Sequence, residues 1–402
     1  MATGKRSTKT GSPKRTPETR RKTKPATRKA APRAAMKRVR YAVVGQGYIS
    51  QVAVLPAFAN ARRNSELVAL VSDDPGKLRA LGRRYKVPHL VGYDAFDELV
   101  RSDAVDAVFI ALPNHLHHAY TLRAVRAGKH VLCEKPMAVT TGECREMIAE
   151  AEAHRVHLMI AYRLHFERAN LRAVQIAHSR RLGDLRVFNS VFCMQVEEGN
   201  IRLQASTGGG TLYDIGIYCI NAARYLFRDE PIEVVALTAS NGESRFDEVP
   251  EMTSCILRFP EERLATFTCS FGAAEASNYD LVGTEGFIHM NDPYTFAGEI
   301  TQTVTVGKRT QEKVFGPSDQ FAPELLYFSD CILNKRSPEP SGIEGLADVR
   351  IIRALLESAE TGRPVKLEPF DRARRPGPEQ AETRPAVEEP ELVGAQSPHP
   401  GD

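Results

Sequence analysis

The sequence predicts an α/β fold. An N-terminal Rossmann-type, doubly wound parallel sheet is followed by a C-terminal α+β domain whose sheet is largely antiparallel and open. Three observations carry this. Short apolar runs alternate with helix-period segments from Arg38 to Ala161. A glycine turn, Gly45-Gln46-Gly47, follows the first apolar run. After Ala161 the apolar runs come with few helical segments between them, as in a sheet with one face packed on helices.

The first domain reads in order. Residues 39–44 form a strand, and the helix after the glycine turn carries Val52, Leu55 and Phe58. Residues 67–71 form a second strand, and Asp74-Pro75 opens a second helix. Residues 106–112 are a strand ending in Pro113-Asn114, and Leu116, Ala119, Leu122 and Val125 mark one face of the next helix. Strands at 129–133 and 157–161 flank a helix opened by the capping box Thr140-Thr141-Gly142-Glu143. In the second domain, strands are expected at 187–194, 232–239, 254–259, 264–270 and 287–290. Segments 196–206 and 291–317 read as loops, and a late helix carries Leu346, Val349, Ile352 and Leu356 and stops at Gly362.

Composition bounds the rest. The net charge of +4 hides a division: residues 1–40 hold fifteen Lys and Arg and one acid, so the remainder is acidic. Basic overall charge is therefore no sign of a nucleic-acid-binding fold. Residues 1–37 have almost no large apolar side chain and read as a disordered basic arm that is simply solvated, touches nucleic acid or another polyanion electrostatically, or wraps a neighbouring subunit. Arg20-Arg21-Lys22 is followed by no apolar export core. Residues 368–402, rich in Pro and Glu, read as a disordered tail. That leaves domains at 38–161 and 162–367. Seven scattered cysteines without a Cys-x-x-Cys pair read as reduced thiols, which points to the cytoplasm rather than to disulfides or zinc. No apolar stretch reaches the ~20 residues that span a bilayer.

The glycine turn is a nucleotide signal. Gly45 permits the tight turn, and Gly47 lets a pyrophosphate approach the backbone. Ser50 stands where the third glycine of the fingerprint would fall. At the end of the second strand, an acid would bind the ribose of NAD and repel the 2′-phosphate of NADP. Ser72 and Lys77 favour NADP, whereas Asp73 would serve NAD if it took the ribose position. Pro113-Asn114-His115-Leu116-His117-His118 lacks carboxylate or thiol company, so no metal is expected. Instead the Pro-Asn turn ends a strand over the cofactor and His117 begins a helix near its nicotinamide half.

About ninety residues after the glycine turn comes Cys133-Glu134-Lys135-Pro136, which puts a lysine at the carboxyl end of a sheet strand, where ligands of open α/β folds bind. In the second domain Gly208-Gly209-Gly210 precedes Asp214 and Tyr218, four apart and so on one helix face. The glycines would let the backbone come close to a ligand.

At these residues the chain resembles the glucose–fructose oxidoreductase/inositol dehydrogenase (Gfo/Idh/MocA) family. The likeness runs from about Val39 to Val365 and includes the Gly-x-Gly turn, Leu112-Pro113-Asn114 with His117, Glu134-Lys135-Pro136, Ala161-Tyr162-Arg163 and the glycine run before Asp214. Many members carry His four residues after that Asp. Tyr218 resembles the glucose–fructose oxidoreductase and aldose dehydrogenase branch, as does Ser72. The resemblance implies an NAD(P)-dependent oxidoreductase with an aldose such as glucose or xylose as substrate. It also implies a homodimer or homotetramer built through the open sheet.

The expected site follows. Lys135 stabilises the alkoxide-like oxygen as hydride leaves its carbon. Tyr218 is the general base in oxidation; a phenol ionises near pH 10, so a nearby ammonium has to help it. Asp214 positions the substrate, and Tyr162 and Arg163 border the sugar. The residues expected to line the nucleotide are Gly45, Gln46, Gly47, Tyr48, Ile49, Ser72, Lys77, Leu112, Pro113, Asn114, His117, Glu134, Lys135 and Arg163. The competing class is a non-catalytic protein that senses NADP or a sugar and touches nucleic acid through its arm.

Overall fold

The computed structural model describes Gly11, residues 38–372 and residues 374–398. Apart from Gly11, the basic arm of residues 1–37 lies outside the described residues.

Six parallel strands form the first sheet: β1 (Val39–Val44), β2 (Ser65–Val71), β3 (His89–Val91), β4 (Ala107–Ile110), β5 (His130–Glu134) and β6 (Leu158–Ala161). Their order is β3-β2-β1-β4-β5-β6. The order reverses between β1 and β4, and that crevice is where an open α/β sheet takes its ligand. Both faces are covered, which is why these strands are apolar throughout rather than alternating. Ala42 and Val44 enter one core cluster, and Tyr41 and Val43 enter the other. β3 escapes the sequence reading because it has three residues and is mostly exposed.

One face is completed from far along the chain. Helix Phe321–Asn334 lies within the range assigned to the second domain, yet its Leu325, Leu326 and Phe328 pack with Tyr41 and Val43 of β1. The Tyr41 hydroxyl meets Ser329 Oγ at 2.8 Å, and Asn64 donates to the Leu326 carbonyl. A parallel sheet needs both faces buried, and this helix supplies what the short segment after β1 does not.

The second sheet has nine strands: β7 (Leu185–Gln195), β8 (Glu233–Ala239), β9 (Met252–Phe259), β10 (Arg263–Ser270), β11 (Gly272–Gly283), β12 (Gly286–Asn291), β13 (Ile300–Val306), β14 (Arg309–Phe315) and, after the two-residue β15 (Ser318–Asp319), β16 (Val365–Lys366). Pairing is antiparallel except between β7 and β10. Segment 291–317 is therefore not a loop: it holds the β13–β14 hairpin. β14 is exposed over six of its seven residues, so it carries no apolar signal, and β11 begins Gly-Ala-Ala-Glu-Ala-Ser. One face of this sheet stays open, exposing Val187, Leu237, Ile256, Leu264, Val282 and Phe287.

The tail also differs from expectation. Residues 368–372 and 374–398 run back along the body, and β17 (Arg384–Pro385) pairs with β15. Two tail arginines explain why a Pro- and Glu-rich segment docks. Arg372 pairs with Glu339 at 3.0 Å and with Glu344, and Arg375 pairs with Glu230 at 3.0 Å. Those carboxylates are buried, and a buried charge is costly unless paired.

Candidate active site

A cavity of about 750 Å³ opens along the carboxyl ends of the first sheet's strands. Its floor is the turn after β1. Gly45 sits at φ +91°, and a Cβ there would lie 2.3 Å from the Ala111 carbonyl oxygen beyond β4, so only glycine fits. A Cβ on Gly47 would meet nothing within 4 Å, so open space lies above that backbone. Ser50 is fully buried and donates to the Gly45 carbonyl at 2.6 Å, tying the helical turn Ser50–Val54 down onto the glycine turn.

One end of the cavity lies over β2. Ser72 is buried, its backbone N–H bound to Val91 and its Oγ accepting from Asp74 N–H. Asp74 caps helix Pro75–Tyr85 by accepting from Gly76 and Lys77 N–H groups. Ser72, Asp73 and Lys77 all line the cavity.

At the other end Lys135 leaves β5 and reaches across to the second sheet's helix. Its Nζ donates to the Asp214 carbonyl at 2.8 Å and approaches Asp214 Oδ1 at 3.3 Å. Asp214 belongs to the wide turn Leu212–Gly216 at the head of helix Ile217–Phe227, a kind of turn often found at functional sites. The Tyr218 ring stands 4.9 Å from Lys135 Nζ and 5.1 Å from the Arg163 guanidinium. No hydrogen bond to its hydroxyl is found among the described residues. Phe192 and Tyr294 pack around the same ring.

The charges are matched. Burial alone would raise the Asp214 carboxyl, but Arg202 and Lys135 outweigh it and hold it down to about 2. Burial works against the Lys135 ammonium, yet Tyr218, Asp214 and Glu134 keep it above its ordinary value. Glu134 behaves oppositely: burial pushes its carboxyl up to about 7 against the pull of Lys135.

Arg202 is the residue sequence reasoning missed. Its Nε meets Asp214 Oδ2 at 2.7 Å. The glycine run brings it there: Gly210 N–H bonds the Arg202 carbonyl, and a Cβ on Gly209 would lie 2.5 Å from that oxygen. The close approach at these glycines is thus to the chain's own segment 196–206, not only toward a ligand. A lone arginine in an irregular segment gave no sequence signal.

Two expected residues sit differently. His117 does not line the cavity. It is fully buried, with Nδ1 2.7 Å from the Pro136 carbonyl and Nε2 2.8 Å from the Leu112 carbonyl, so it ties the ends of β4 and β5 together behind the wall. Arg163 lines the cavity but spends its donors on Thr295, Tyr294 and Gln320. The other residues expected along the nucleotide all line the cavity, as do Asp214 and Tyr218. His118 pairs with Glu146 and His115 with the Thr207 carbonyl. Among the described residues no cluster of His, Cys, Asp and Glu could hold a metal.

Residues 39–162 match the family model described as an oxidoreductase family with an NAD-binding Rossmann fold, and residues 170–289 match the GFO/IDH/MocA C-terminal domain. The chain belongs to the Gfo/Idh/MocA family. This Gfo/Idh/MocA chain is an NAD(P)-dependent oxidoreductase. Among its relatives, D-xylose 1-dehydrogenase [NADP(+)] of Haloarcula marismortui is 31% identical, over 82% of this chain and 93% of that one. Aldose-aldose oxidoreductase from Caulobacter crescentus, solved with glycerol, superposes with a TM-score of 0.79 at 35% identity, covering 82% of this chain and all of that one. A 3-ketoreductase from Actinomadura kijaniata, solved with NADP and TDP-benzene, gives 0.73 at 27% identity over 80% and 98% of the two chains. Among the described residues no helix is long and apolar enough to cross a membrane.

Proposed function

We propose that this oxidoreductase moves a hydride between NADP and an aldose, with glucose or xylose as the type of substrate. The observation that carries the reading is the meeting of Lys135 from β5 with Asp214 and Tyr218 from the second domain's helix, on a cavity that continues to the glycine turn. The residues present fit the dinucleotide: backbone open above Gly47, and buried Gln46 Oε1 and Glu134 Oε1 unpartnered beside it. The relatives named above act on xylose with NADP or on aldoses, and Ser72 with Lys77 suits a 2′-phosphate.

NADP, when bound, supplies the hydride acceptor in oxidation and the donor in reduction. The chain's own residues handle the proton and the charge. Lys135, held cationic against Asp214, donates to the sugar oxygen and stabilises negative charge on it. Tyr218 takes the hydroxyl proton in oxidation and returns it in reduction. Asp214, fixed by Arg202 on its far oxygen, orients Lys135 and the sugar. Arg163 stacks its guanidinium on the Tyr218 ring.

With the chain divided at 38–161 and 162–367, this reading assigns the nucleotide mainly to the first part, which residues 321–334 complete, and the sugar to the second. The exposed apolar face of the second sheet suits a homodimer or homotetramer, with Leu237 at 70% exposure its most uncovered side chain. The test is absorbance at 340 nm with NADP and a panel of aldoses. Reduction with at least one aldose is expected. Binding of NADP with no turnover on any aldose would instead favour a sensor.

A further inference from the structure

We propose that residues 391–398 of the C-terminal tail form a wall of the nucleotide site and close its adenosine half around an NADP(H)-type dinucleotide. The inference rests on the nucleotide reading above. Gly394, Ala395, Gln396 and Pro398 line the same cavity as the glycine turn and Lys77.

The tail is fastened at that point by a specific contact. Gln51, one turn past the glycine turn and fully buried, pairs with Val393 in both directions. Its Nε2 donates to the Val393 carbonyl at 2.9 Å, and its Oε1 accepts from Val393 N–H at 2.8 Å. The same Nε2 donates to the Gln46 carbonyl, so one amide links the tail to the turn that faces the nucleotide. Arg84 holds the Glu391 carbonyl at 2.7 Å, and Leu392 and Val393 pack on the core cluster beneath. A polar side chain buried in the body and satisfied by the tail backbone marks a seat for that backbone.

Upstream, charge balance anchors the tail. Buried Glu230, Glu344 and Asp348 pair with Arg224, buried Glu339 lies 3.7 Å from His165, and Arg350 is 3.9 Å from Glu230. Arg372 and Arg375 of the tail bring the cations that these four carboxylates otherwise lack.

The position selects the ligand. Gly394 sits at φ +56°, a backbone conformation that favours glycine, and its Cβ direction points to Lys77 Cε at 3.4 Å, so the tail turns in contact with a cation suited to a 2′-phosphate. With the tail as one of its walls the cavity still measures about 750 Å³, so room for a ligand remains beside the segment. Dinucleotide then enters and leaves by displacement of residues 391–398, while Arg372 and Arg375 stay docked.

The test compares the full chain with a variant ending at Pro390 and with Val393→Pro, which removes the N–H that Gln51 accepts and leaves the body untouched. NADPH dissociation is followed by its fluorescence, with equilibrium titration alongside. The truncation is expected to raise both Kd and dissociation rate by about tenfold, the scale of one or two lost hydrogen bonds and their packing. Val393→Pro should move both in the same direction by less. Unchanged Kd and rate in both variants overturn the proposal, and so does tighter binding after truncation, which would make the tail a competitor. If the full chain binds neither NADPH nor NADH, the nucleotide reading itself fails.

Discussion

The two ends of the cavity are built by different physics. At the end proposed to react, Lys135, Asp214 and Arg202 form a chain of paired charges, with Arg163 and Lys135 both against the Tyr218 ring. At the proposed adenosine end, Ser72, the glycine turn and the tail present mostly backbone groups and neutral amides, with Asp73 and the half-buried Lys77 among them. Charges that must act on a transition state need fixed positions, and a buried network fixes them. A binding end that must admit and release a large ligand is better served by modest neutral bonds, each worth about 1 kcal/mol.

The largest effect expected from breaking this contrast is at Lys135. Lys135→Met should lower turnover at least about a hundredfold while leaving NADPH affinity nearly unchanged. Single-turnover rates and a nucleotide titration read the two separately. Near-normal turnover would take Lys135 out of the chemistry and erase the distinction between the ends.

Glu134 comes next, between the two ends. Its folded-state value of about 7 lies above the ordinary carboxylate range, so the protonated form is favoured on folding. Its stabilising share is complete below pH about 4.5 and is lost as pH rises through 7. Relative to Glu134→Gln, the nucleotide-free wild type should therefore lose up to about 3 kcal/mol between pH 4 and pH 8. Denaturant melts of both proteins across that range measure it; parallel curves would mean the carboxyl is not held neutral.

The smallest effect belongs to the adenosine end. Lys77→Ala should weaken NADP binding about fivefold, the scale of a partly exposed charge at about 1 kcal/mol, and leave NAD binding unchanged. Equal losses for both nucleotides would move the 2′-phosphate away from Lys77.

Periodicity made the first sheet legible, because strands buried on both faces read as apolar runs and their helices keep a 3.6-residue period. Thr140 and Glu143 form the expected capping box, and Gly362 ends the late helix at φ +65°. The second sheet was only partly legible. β13 and β14 alternate weakly or lie exposed, so their pairing is fixed by neighbours rather than by their own residues. His117 was misplaced for a related reason: sequence puts it beside a ligand-facing turn, but whether a side chain faces the cavity or the core depends on packing.

The sequence by itself determined the glycine turn, the lysine at the end of β5 and the Asp-Tyr pair, because each is a local pattern with a local physical cause. Tertiary structure alone decided that Arg202 reaches Asp214, that helix Phe321–Asn334 roofs the first sheet, and that the tail docks. Those contacts join residues distant in sequence, such as Gln51 with Val393 and Arg224 with Glu344. A Pro- and Glu-rich tail reads as solvated until the folded body offers it buried carboxylates and the Gln51 amide. Such partners exist only after the chain has folded, and no window of neighbouring residues contains them.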